Sequence, residues 1–177
     1  MAGKNLTLAA RAARIKLLVL DVDGVLTDGR VVYDADGREI KYFDVQDGHG
    51  LKLLQRTGVK VALLSGRESN VNRIRAKELG IEELHEDCKI KLPVFEDILS
   101  AHNLPAEEVA FMGDDLIDLP PMRAAGLALA PANAILEVKE AAHWVAPKPG
   151  GGGAVRLACE LIMKNSGTWD EVTARYF

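Results

Sequence analysis

Residues 15–28 read IKLLVLDVDGVLTD. A run from Ile15 to Leu20, aliphatic except for Lys16, stops at two aspartates, Asp21 and Asp23, and then at Gly24. A run without alternation predicts a strand covered on both faces. The end of such a strand is an unfavourable place for paired negative charge unless a cation or a reaction requires it.

Other apolar runs recur along the chain. VKVALLSG (Val59 to Gly66) and EVAFMGDD (Glu108 to Asp115) predict two more strands, and GLALA (Gly126 to Ala130) and HWVA (His143 to Ala146) two short ones. Between them lie helical patterns. Leu51, Leu53 and Leu54 follow a start at Asp47, and Glu68 to Leu79 ends at Gly80. Leu92, Phe95, Ile98 and Leu99 share one face, as do Ala154, Leu157, Ala158, Leu161 and Ile162. Strand alternating with helix implies an α/β fold, a mostly parallel sheet with helices on both faces. GRVVYDADGREIKYFD (29–44) breaks the rhythm with two β-rich arms around Asp36-Gly37, a short β-hairpin flap leaving the sheet just after the acidic pair. PKPGGGG (147–153) reads as a flexible Gly-rich joint, and SGTWDEVTARYF (166–177) as a tail that docks on a surface.

The 177 residues are read as a single domain, 1–177. With 48% apolar and 27% charged residues the composition is globular, and a net charge of −4 without a basic block gives nucleic-acid binding no support. Cys88 and Cys159 lack metal-ligand spacing and read as free thiols of a reducing compartment. MAGKNLTLAARAAR at the start lacks the continuous apolar stretch of a signal peptide, and LLVL is too short to span a bilayer. The expected location is cytoplasmic, with no membrane partner.

In an open parallel sheet, ligands collect at the carboxyl ends of the strands. Four polar features fall there or on adjoining loops: Asp21-Val22-Asp23, Ser65-Gly66-Arg67, Gly113-Asp114-Asp115 with Asp118 one turn on, and Lys91 at the start of a helix. Together they suit phosphoryl transfer. A phosphate ester and a carboxylate nucleophile repel each other. Mg²⁺ held by Asp21 and Asp114 would neutralise both, since this ion takes a few carboxylates plus water and substrate phosphate. Lys91 would add positive charge, the Ser65 hydroxyl a hydrogen bond, and the N–H groups of Val22 to Gly24 an anion nest. Asp21 would attack phosphorus, and Asp23 would protonate the leaving alcohol and then activate water. Each feature alone has a plainer reading: a strand-end turn, a helix cap or a solvated lysine. Their joint order is what carries the signal.

DVDGVLTDG, LLSGR, Lys91 in KIKLPVF and GDDLIDLPPM resemble, in order, the four motifs of the haloacid dehalogenase superfamily of phosphatases. The short hairpin in place of a cap domain, FDVQDGHGLKLL and PGGGGAVR resemble its 3-deoxy-D-manno-octulosonate 8-phosphate (KDO 8-phosphate) phosphatase group over nearly the whole chain. The resemblance implies a Rossmann-like three-layer α/β/α fold and a Mg²⁺-dependent phosphatase of lipopolysaccharide precursor synthesis. It also implies a homotetramer in which flaps and C-terminal segments help close neighbouring sites. By motif, Asp21 would be nucleophile and metal ligand. Asp23 would be acid/base, with its backbone carbonyl on the metal, and Asp114 would complete the metal set, with Asp115 or Asp118 in support. Ser65, Gly66 and Lys91 would bind phosphate. Oligomerisation has a separate warrant: so small a flap cannot cover a sugar acid, and its Val31, Val32, Tyr33, Ile40, Tyr42 and Phe43 offer apolar surface to a neighbour or to their own domain.

Gly152 and Leu157 stand where the group often has Arg and Glu, which bears on substrate more than on chemistry. Arg156 would reach a substrate carboxylate from a neighbouring subunit or else be solvated on a helix. Arg67 and Arg73 are candidates to read that carboxylate, or part of a charged helix face. Gln46 and His49 sit at the flap's return, where they would touch substrate or serve the loop. Two rival functions stay open at this stage: a phosphatase for a nine-carbon ulosonic acid 9-phosphate, and a phospho-accepting receiver domain.

Overall fold

The computed structural model describes residues 6–177; the first five residues of the N-terminal stretch lie outside it. The chain runs α1 (Leu8–Ala12), β1 (Leu17–Leu20), β2 (Val32–Tyr33), β3 (Glu39–Ile40), α2 (Val45–Arg56), β4 (Lys60–Leu64) and α3 (Asn70–Leu79). It continues with β5 (Glu83–His85), α4 (Lys91–His102), β6 (Val109–Met112), α5 (Leu119–Ala124), β7 (Leu127–Ala130), α6 (Leu136–Ala141), β8 (Trp144–Val145), α7 (Ala154–Ser166) and α8 (Trp169–Thr173).

Six strands form one parallel sheet in the order β5-β4-β1-β6-β7-β8. β1 lies between β4 and β6, with Leu20 opposite Leu63 on one side and Met112 on the other. After β1 the chain builds one half of the sheet and then crosses to build the other, so the carboxyl end of β1 sits at the switch point where α/β sheets bind ligands. The unbroken apolar run has its expected cause. Leu18 and Leu20 point into a core shared with α2 and α7, while Leu17 and Val19 point into a second core with α4, α5 and α6. Helices thus cover both faces, and the three-layer α/β/α expectation holds.

The hairpin forms with shorter arms than the sequence suggested: only Val32↔Ile40 and Tyr33↔Glu39 pair. Asp34 closes its turn by accepting from the Asp36 and Arg38 N–H groups at 2.9 and 2.8 Å. α2 begins two residues before Asp47, because Asp44 caps it by accepting from Gln46 and Asp47. Glu83–His85 adds an edge strand the sequence reading lacked.

The segment 147–153 is not a loose joint. Gly150 and Gly151 press on the loop that follows β1: a Cβ at Gly150 would stand 1.9 Å from the Gly24 carbonyl oxygen. The Gly150 N–H donates to Asn133 Oδ1 at 2.6 Å, and the Gly151 N–H to the Val25 carbonyl at 3.1 Å. Glycine is needed there for close packing rather than for freedom. The tail folds back on its own chain: the Trp169 ring lies under Lys164 and Arg156, and the Tyr176 hydroxyl meets His49 at 3.0 Å.

Candidate active site

The ends of β1, β4 and β6 converge with the start of α4. Asp21 continues the ladder beyond β1, donating its N–H to the Met112 carbonyl. Its buried carboxylate lies 2.7 Å from Lys91 Nζ. Lys91 is the first residue of α4, and its fully buried ammonium also meets Asp118 at 2.6 Å. Burial works against that charge, but the two carboxylates outweigh it and raise the Lys91 pKa above its ordinary value. Asp118 spends its other oxygen on the N–H groups of Asp114 and Asp115, at 2.9 and 3.2 Å. It therefore shapes the turn that carries Asp114. Asp115 is exposed and caps the following single turn of 3₁₀ helix.

Asp114 reaches across the glycine of the first motif. A Cβ at Gly24 would lie 2.0 Å from Asp114 Oδ2, so only glycine admits the carboxylate. Asp114 Oδ1 is buried without a hydrogen-bond partner. Burial, then the charges of Asp21, Asp118 and Asp115, push the Asp114 pKa up to about 8. Burial raises Asp21 to about 6 against the pull of Lys91. Oxygens of Asp21, Asp114 and Asp118 lie within 4.8 Å of one another. Crowded carboxylates with an orphaned oxygen fit a small divalent cation.

These groups open into a cavity of about 250 Å³ with Asp21, Asp23, Gly66, Arg67, Asp114 and Asp115 in its wall, alongside Val31 of the flap and Ile117. Clefts of about 510 and 520 Å³ lie elsewhere, the first at the amino end of β4 around Lys60 and Glu83. Neither gathers the strand-end carboxylates. Ser65 sits buried at the end of β4, its hydroxyl donating to the Arg67 carbonyl at 2.8 Å and accepting from the Arg67 N–H.

Asp23 is hydrogen-bonded on one side only. Its Oδ1 accepts from Lys41 at 2.7 Å, while its buried Oδ2 has no hydrogen-bond partner and lies 3.8 Å from Arg67. Arg67 is anchored by Glu39 of the flap at 2.8 Å, and Glu39 also takes the Ser69 hydroxyl. Lys41, Glu39 and Asn72 went unread in the sequence. The available signal was the i, i+2 spacing of Glu39 and Lys41, which puts both on one face of the flap's second arm.

Four sequence candidates fall outside this cavity. Arg73 pairs with Glu68 and with Glu86. Gln46 is exposed on the first turn of α2. His49 faces the tail at Tyr176, and the Arg156 guanidinium is taken up by Glu160 at 2.7 Å and the Trp169 ring. Within one chain, only Arg67 of the arginine candidates reaches the cavity wall.

Residues 90–156 match the model of the haloacid dehalogenase-like hydrolases. The chain is 41% identical over 153 residues to the 3-deoxy-D-manno-octulosonate 8-phosphate phosphatase KdsC of Yersinia pestis, covering 86% of this chain and 82% of the relative. Identity to KdsC of Escherichia coli K12 is 40% over 162 residues, or 92% and 86% of the two chains. The chain belongs to the haloacid dehalogenase-like hydrolases, in their KDO 8-phosphate phosphatase group. A crystal structure of that phosphatase from Moraxella catarrhalis, in complex with magnesium, phosphate and KDO, superposes with a TM-score of 0.94 at 36% identity, covering 96% of this chain and 98% of that one. Membership in this hydrolase group makes the chain a phosphoric monoester hydrolase and sets the receiver-domain reading aside.

Proposed function

We propose that this hydrolase converts KDO 8-phosphate to KDO and phosphate, with Mg²⁺ as cofactor, in lipopolysaccharide precursor synthesis. The observation that carries the reading is the strand-end charge set: Asp21 pinned by buried Lys91, and Asp114 with an orphaned oxygen beside it. Asp21 and Asp114 would hold the metal together with the Asp23 backbone carbonyl, and Asp118 would keep Asp114 in place. Bound there, the ion offsets the repulsion between an anionic ester and an anionic nucleophile.

Asp21 attacks phosphorus and becomes an aspartyl phosphate. Asp23 Oδ2 gives a proton to the departing sugar oxygen, then takes one from the water that hydrolyses the intermediate. Lys91, through its contact with Asp21, keeps positive charge beside the phosphoryl group. The Gly66 backbone lines the cavity, and the Ser65 hydroxyl must turn from the Arg67 carbonyl to meet a phosphoryl oxygen. Arg67, aimed into the cavity by Glu39, suits a sugar-acid carboxylate.

Val31, Tyr33 and Tyr42 of the flap are 51, 57 and 70% exposed, which supports a homotetramer in which neighbours cover one another's cavities. Among the described residues no helix is long and apolar enough to cross a membrane. We place the enzyme in the cytoplasm.

The alternative substrate is a nine-carbon ulosonic acid 9-phosphate. Measured kcat/KM with Mg²⁺ should favour KDO 8-phosphate over the 9-phosphates of KDN and N-acetylneuraminate by at least about tenfold, roughly 1.4 kcal/mol of transition-state discrimination. A preference for a nine-carbon ester would overturn the assignment.

A further inference from the structure

Lys41 lies on the return arm of the flap, between Ile40 and Tyr42, which are 37 and 70% exposed. Its own side chain is 1% exposed. A lysine on a small exposed hairpin has easy access to water, so full burial needs a reason. Its ammonium donates to Asp23 Oδ1 at 2.7 Å and to Asn72 Oδ1 at 2.9 Å. Asn72 is itself buried and donates to Glu86. The amide of α3 therefore fixes the ammonium, and the ammonium fixes one oxygen of Asp23. The other oxygen, Oδ2, has no hydrogen-bond partner; the Arg67 guanidinium, at the cavity wall, stands 3.8 Å from it.

We propose that Lys41 is a positioning residue for proton transfer: the flap delivers a buried ammonium that holds Asp23 Oδ1 and so presents Oδ2 to the substrate. This rests on the reading of Asp23 as acid and base. In the first step the Asp23 Oδ2 proton passes to the ester oxygen as the P–O bond breaks and the Asp21 O–P bond forms. In the second, Oδ2 takes a proton from water as its oxygen bonds to phosphorus and the Asp21 O–P bond breaks. The flap is then part of the catalytic arrangement as well as a cover.

Leaving-group dependence tests this. A sugar alcohol needs protonation to depart, whereas p-nitrophenolate does not, and kcat/KM reports steps only up to leaving-group loss. Lys41→Met should lower kcat/KM for KDO 8-phosphate by about 30- to 100-fold, with p-nitrophenyl phosphate changed by less than about threefold. The ratio of the two cancels any loss of folded enzyme. Lys41→Arg, which keeps charge and donors, should recover most of the ratio. A ratio in Lys41→Met within about threefold of the parent's overturns the inference. Asp23→Asn, measured alongside, should show the same discrimination. If Asp23→Asn discriminates and Lys41→Met does not, only the role of Lys41 falls. If Asp23→Asn does not, the acid reading falls and takes this inference with it.

Discussion

Asp47 accepts the N–H of Arg156 at 2.7 Å and that of Gly153 at 3.3 Å, tying α2 to the first turn of α7. Burial lifts its pKa from 3.8 to about 6, against the pull of those backbone donors. The folded state thus binds this proton more tightly than the unfolded chain. The associated stability is complete below about pH 4 and is lost as pH rises through about 6. Asp47→Asn lacks this titration and one acceptor. Denaturant unfolding should find the variant less stable at pH 4, with the gap narrowing by ~2–3 kcal/mol on going to pH 7. A gap independent of pH would contradict this account of Asp47. Residues of this kind were legible only in part. Asp21, Asp23, Ser65, Lys91 and Asp114 stand out because short motifs end strands or open a helix. Lys41 did not, because its partners lie 18 and 31 residues away and its i, i+2 spacing with Glu39 does not point to them.

Among the elements, the long apolar strands and amphipathic helices were readable because each has a periodic face to bury. β5 escaped because its three residues are only half-buried at the sheet edge, where neither alternation nor a continuous apolar run is required. The 147–153 segment was misjudged because local composition suggests slack. Tertiary contact with the loop after β1 decides its state. Substitution there should register in the site. Gly150→Ala forces a methyl against the Gly24 and Thr27 carbonyls, so the loop holding Asp23 must shift. Overpacking of this kind costs ~1–3 kcal/mol, and activity should fall at least about tenfold. Gly152→Ala, whose nearest neighbour is the Pro149 ring at 3.1 Å, should do less. Equal, small effects of both substitutions on kcat/KM would show that the segment does not support the site.

At the scale of the molecule, the sheet order brings segments 21–23, 65–67, 91 and 114–118 to one end, though they are spread over nearly a hundred residues of sequence. The two flanking cores pack against the strands that carry these ends, and the flap adds Glu39 and Lys41. One measurement tests the whole arrangement most directly: Mg²⁺-dependent phosphate release from KDO 8-phosphate by the parent and by Asp21→Asn. The amide is nearly the same size but cannot act as the nucleophile. Turnover by the parent and a loss on the order of 10³-fold or more in the variant are expected. An Asp21→Asn enzyme that releases phosphate within tenfold of the parent would contradict attack by Asp21.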